Sequence, residues 1–133
     1  MKKIVIVGSA TFYKEVLEWK ERLEKLNYCV LDYPKKINIV TEYQENFETF
    51  YKNLDAADEI LLLNLDKKGI EGYIGYESFA ELSYSVAKNI ISNSNKNIYI
   101  LKLPSKEVGC YDEINQFIKL GYIKIFNKWY KFM

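Results

Sequence analysis

Glu59-Ile-Leu-Leu-Leu-Asn-Leu65 is an apolar run that leads into Asp66-Lys-Lys-Gly-Ile-Glu-Gly-Tyr-Ile-Gly75 and then Tyr76-Glu-Ser-Phe-Ala-Glu-Leu-Ser-Tyr-Ser-Val-Ala-Lys88. A continuous apolar run closed by turn residues suits a central parallel strand covered on both faces. The loop after it is glycine-rich, and the third segment has helical period and opens on carboxylates. In open α/β sheets, ligands gather beyond the carboxyl ends of the strands, where loops run into helices. The candidate site is therefore expected between Asp58 and Lys88.

Working outward, Lys3 to Val7 is a β-branched run that ends in Gly8-Ser9-Ala10-Thr11, where Ser9 or Thr11 can cap a helix. Phe12, Val16, Trp19 or Leu23, and Leu26 carry that helix, with Asn27 as a left-handed stop before a short strand, Tyr28 to Leu31. A second helix is expected over about Thr41 to Asp55, marked by Tyr43, Phe47, Phe50, Tyr51 and Leu54. Asn97 to Leu103 reads as a fourth strand, Asp112 to Leu120 as a helix stopped by Gly121, and Tyr122 to Phe126 as a fifth strand. The aromatic tail from Asn127 to Met133 is expected to dock on the body or on a partner subunit. Strands alternating with helices at these lengths imply a doubly wound, five-stranded parallel sheet in a three-layer α/β/α sandwich. The order expected is 2-1-3-4-5, as in flavodoxin-like folds, within a single domain over residues 1–133.

Composition narrows the chemistry. With 19 basic and 18 acidic residues, no bulk field draws the chain onto nucleic acid or anionic lipid. No stretch approaches the ~20 apolar residues of a membrane span, so a soluble, cytoplasmic protein is expected. Cys29 and Cys110 stand far apart in unrelated contexts, which suggests neither a disulfide framework nor a metal cluster. The absence of histidine removes Ser-His and Cys-His nucleophile pairs and most catalytic zinc sites. Chemistry here must run on carboxylates, tyrosines, lysines or a cofactor.

Gly8 and Ser9 either let backbone amides approach a ligand or simply make the tight turn that any α/β unit needs. Glu77 and Glu81 lie one helical turn apart and share a face. If Phe79, Leu82, Val86 and Ile90 form the buried side, that face is solvated, and Glu81 would need a roof from flanking loops or a neighbouring subunit. Ionised and facing a sugar, Glu81 could attack an anomeric carbon. Asp66 stands at the ligand end of the central strand and Asp58 nominally at the other. Their bland readings are an exposed turn and a helix-to-strand cap.

Val7-Gly8-Ser9, Ala57-Asp58 before Ile60 to Leu65, and Ser78-Phe-Ala-Glu81-Leu82-Ser-Tyr84-Ser85 together resemble the nucleoside 2-deoxyribosyltransferase superfamily, which includes deoxynucleoside monophosphate N-glycosidases. The resemblance covers roughly residues 3 to 103. It implies that Glu81 is the nucleophile and that Asp58 assists the sugar hydroxyls or protonates the leaving base. Gly8 and Ser9 would lie under the sugar, with Tyr13 beside the site and Ser78 in the place of a threonine. Asp66, Gly75 and Glu77 complete the candidate substrate contacts. Glu77 stands where the family has glycine, and Ser83 and Ser85 replace its small Gly and Ala. The resemblance implies cleavage or exchange of an N-glycosidic bond in a nucleoside or nucleoside monophosphate. It also implies no metal or organic cofactor, and a dimer or larger homo-oligomer whose subunits complete each other's pockets. Two other readings stand beside it: a non-catalytic nucleotide-binding or sensing module on the same fold, and an NAD-cleaving glycosidase of the Toll/interleukin-receptor type.

Overall fold

The computed structural model describes residues 1–36 and 40–127, with the side chains of residues 40 and 41 left out. Its five strands are β1 (Lys2–Val7), β2 (Tyr28–Asp32), β3 (Glu59–Leu62), β4 (Asn97–Ile100) and β5 (Lys124–Ile125). They form one parallel sheet in the order β2-β1-β3-β4-β5, as the sequence implied. Four helices make the crossovers: α1 (Tyr13–Lys25), α2 (Val40–Ala56), α3 (Tyr76–Ser92) and α4 (Tyr111–Lys119). A 3₁₀ turn, Ala10–Phe12, precedes α1, and Ser9 Oγ accepts the Thr11 amide to cap it.

Alternation along β1 and β3 sends side chains to two separate cores. Val5, Val7, Ile60 and Leu62 meet Leu54 of α2, Leu82 and Val86 of α3 and Ile114 of α4. Ile4, Ile6 and Leu61 meet Val16, Trp19 and Leu23 of α1 on the other face, together with Phe126. Phe126 packs edge-on against Trp19 at 5.9 Å and against Tyr99 at 5.5 Å. The tail expected to dock lies, from residue 128 onward, outside the described residues.

β3 and β4 are shorter than their apolar runs because Asn64 takes over the pairing. Its fully buried amide accepts the Leu101 amide at 2.9 Å through Oδ1 and donates to the Lys102 carbonyl at 2.7 Å through Nδ2. Nδ2 also points to the Gly72 carbonyl at 3.4 Å. Gly72 has φ +63°, and a Cβ there would come 2.9 Å from Pro104 Cα, so glycine is required on both counts. This clasp fixes the loop that delivers the chain to α3.

At the amino end of the central strand β3, Glu59 is buried. It accepts from the Tyr28 hydroxyl at 2.6 Å and the Lys2 ammonium at 3.2 Å. Burial first, and then Glu59, hold the Tyr28 hydroxyl well above its usual pKa. A buried carboxylate needs such partners.

The buried face of α3 differs from the expected one. Ser78, Glu81, Leu82, Ser85 and Val86 are buried, whereas Phe79 is half-buried and Ile90 is 59% exposed. Small serines let the helix approach the sheet, and the Ser85 hydroxyl donates to the Glu81 carbonyl at 3.0 Å, so its burial leaves no unpaired group. Phe79 instead stacks on Phe117 of α4 at 6.1 Å. Rotating the buried face in this way brings Glu81 inward.

Candidate functional site

Parallel strands put the carboxyl ends of β1, β2 and β3 on one edge of the sheet, and a cavity of about 530 Å³ opens there. Its floor is Gly8, Ser9, Leu62 and Leu63. Gly8 permits this, since a Cβ there would sit 3.3 Å from the Leu63 carbonyl oxygen. The start of α3 supplies Gly75, Glu77, Ser78 and Glu81 as one wall. The end of β2 and its following loop supply Asp32, Tyr33, Pro34 and Lys35 as another. From α2, Tyr43, Asn46, Phe47 and Phe50 roof the cavity, and Lys67 and Tyr73 close the side toward the glycine loop. The roof that Glu81 requires thus comes from α2 of the same chain.

Glu81 is the group that stands out. It is 7% exposed, and its carboxyl has no hydrogen bond or ion pair with any described residue. No described side-chain nitrogen or oxygen is both sealed from solvent and unpartnered, so the Glu81 oxygens open onto the cavity. Burial above all, then the charges of Glu77 and Asp32, push its pKa up to about 8. At neutral pH the free protein therefore carries Glu81 mainly as the acid. Ser78, one turn earlier and 8% exposed, is also without a described partner and lines the same wall.

Asp32 is a second buried carboxylate, but a committed one. It accepts the Tyr33 amide at 2.8 Å, the Lys35 ammonium at 2.9 Å and the Asn53 amide at 2.8 Å. The Lys35 ammonium also lies 4.9 Å over the Tyr33 ring, and that of Lys67 lies 5.2 Å over Tyr73. The Tyr43 hydroxyl is held above its usual pKa chiefly by the Glu77 charge, and that of Tyr51 by burial and then by Glu81. Tyr43 and Phe47 stack at 5.9 Å, and Phe47 meets Tyr51 at 4.9 Å, so α2 presents a continuous aromatic ladder.

Of the residues singled out from the sequence, Gly8, Ser9, Gly75, Glu77, Ser78 and Glu81 converge on this cavity. Asp58, Asp66 and Tyr13 do not line it. Asp58 sits at the amino end of β3, where its carboxylate accepts the Lys3 amide at 2.9 Å, the capping role that the turn allowed. Asp66 bonds Lys102 at 2.6 Å and the Gly72 amide at 3.0 Å. Those two contacts hold its carboxyl below the usual range and tie the loop down. Tyr13 begins α1 and is exposed. Sequence reasoning missed Asp32, Lys35 and the roof from α2. Asp32 was within reach, because it ends β2 on the edge where ligands bind.

Among the described residues, no helix is long and apolar enough to cross a membrane, and no three acidic or thiol side chains converge to hold a metal. No protein-family model matches the chain, and comparison with curated proteins finds no relative.

Proposed function

We propose that this cavity binds a nucleoside-like molecule and cleaves or exchanges its N-glycosidic bond, with Glu81 as the nucleophile. The observation that carries the reading is a buried carboxyl without a partner among the described residues, open to an aromatic-walled cavity at the ligand end of an α/β sheet. Aromatic faces suit a base, and the hydroxyls of Ser9 and Ser78 suit a sugar. In the reaction, a Glu81 oxygen bonds to the anomeric carbon as the carbon–nitrogen bond breaks and its electron pair leaves with the base. Water or a second base then displaces the carboxylate. Glu81 must be ionised to attack, so turnover should rise with pH through about 8.

Incubating the protein with deoxynucleosides, their monophosphates and NAD, and following free base by chromatography, tests this. Base release that Glu81→Gln abolishes is the expected outcome. Release undiminished in that variant would remove Glu81 from the chemistry.

The resting protonation of Glu81 also favours a second reading, a binding or sensing module in which Glu81 donates a hydrogen bond to a ligand hydroxyl. Thermal stabilisation by a nucleoside, with no product formed, would select it.

A further inference from the structure

Among the described residues, three carboxyl groups, Asp32, Glu77 and Glu81, line the cavity with two ammonium groups, Lys35 and Lys67. Asp32 is committed to Lys35, Asn53 and a backbone amide. When Glu81 is ionised, one negative charge is in surplus inside a largely aromatic enclosure. That carboxylate has no described counterion, and phosphate would meet three carboxyls here. The aromatic walls already hold cations on their faces, at Tyr33 and Tyr73.

We propose that the cavity takes a flat heteroaromatic cation, a pyridinium-type N-glycoside whose charged ring lies against the aromatic wall with Glu81 as its counterion. A positive ring beside Glu81 offsets the effects of burial and of Glu77 and Asp32, so binding expels the Glu81 proton and creates the nucleophile. The other titratable groups facing this region are Tyr33 and Lys35 after β2, Tyr43 and Tyr51 on α2, Lys67 and Tyr73 before α3, and Tyr76 at its start. A neutral nucleoside leaves Glu81 protonated.

The cleavage step, which rests on the glycosidase reading, then needs no acid. A Glu81 oxygen bonds to the anomeric carbon, the carbon–nitrogen bond breaks, and its electron pair returns to the ring nitrogen and cancels the positive charge. The base departs neutral and unprotonated. Water attacks the glycosyl ester, giving the free sugar, the Glu81 carboxylate and one proton to solvent. This agrees with the position of Asp58, which caps the far end of β3 and cannot protonate a leaving base in the cavity.

The test is calorimetric titration of the full chain with 1-methylnicotinamide and with its neutral isostere 3-methylbenzamide, from pH 6 to pH 9. The cation should bind at least about a hundredfold more tightly than the isostere at pH 9. Its affinity should fall about tenfold per pH unit below about pH 8, with one proton released on binding. In Glu81→Gln the preference and the pH dependence should both vanish, and 3-methylbenzamide should bind as before. Equal affinities, tighter binding of the isostere, or binding of neither would overturn the proposal. The pH dependence in the unaltered protein decides the question even if the variant folds poorly. Release of base from nicotinamide riboside and from deoxyadenosine separates the two claims. Cleavage of deoxyadenosine without cation preference overturns the cation and leaves the glycosidase reading. Cation preference with neither substrate cleaved upholds the cation and overturns the glycosidase.

Discussion

Glu81 carries a cost that the protein retains. Its folded pKa of about 8 lies above the ordinary 4.5, because the cavity disfavours the charged form. Below about pH 4 both folded and unfolded chains hold the proton, and the group is neutral in its effect. As pH rises from 4.5 toward 8, the unfolded chain gives up its proton first and stability falls; above 8 the loss is complete. Glu81→Gln, an uncharged side chain of the same shape, should therefore match the parent near pH 4. It should be more stable by about 5 kcal/mol at pH 9 in urea titrations. Equal stability at both pH values would mean that Glu81 is not buried as described. At Asp58 the expectation is different. Asp58→Asn removes a charged acceptor from the Lys3 amide and should cost about 1 kcal/mol. Whatever turnover the parent shows should stay within about threefold, and a loss of a hundredfold or more would return Asp58 to the mechanism.

Elements were easier to foresee than the faces they present. The strand at Glu59 was legible because its apolar run needs cover on both sides, and helical spacing marked α1 and α2. The inward face of α3 was not legible, because Ser78 and Ser85 are small, hydrogen-bonding residues that a hydrophobic pattern passes over. The end of β3 was misplaced for a similar reason, since Asn64 uses its side chain to do what a strand backbone does elsewhere. Removing that clasp should be costly. Asn64→Ala leaves backbone groups of Leu101 and Lys102 unpaired at a buried position and should destabilise by about 2–4 kcal/mol. Gly72→Ala, strained at positive φ and pressed against Pro104, should cost about 1–3 kcal/mol. It should also weaken any ligand of the cavity, because the loop it anchors carries Lys67 and Tyr73. Unchanged unfolding midpoints in either variant would contradict the account.

For the molecule as a whole, the topology was readable because connection lengths and strand handedness leave few arrangements open. The site was half readable. The edge rule located it, and the resemblance named Glu81, but the walls come from segments far apart in sequence. Asp32, Phe47, Lys67 and Glu81 meet only through the crossovers, and no local spacing announces that. The sheet also makes one cooperative unit of its two cores. Leu23→Ala on the α1 side and Leu82→Ala on the α3 side should each cost about 2–5 kcal/mol. Both should shift a single unfolding transition, seen alike by far-ultraviolet dichroism and tryptophan fluorescence. Separate transitions by the two probes would argue that the faces fold independently.

The most direct measurement is the titration of Glu81 itself, by carbon-13 NMR of the glutamate carboxyls in the free protein. One resonance should turn over near pH 8, and it should be missing from Glu81→Gln. If every glutamate instead titrates between about pH 3 and pH 5, the buried carboxyl at the centre of this site does not exist.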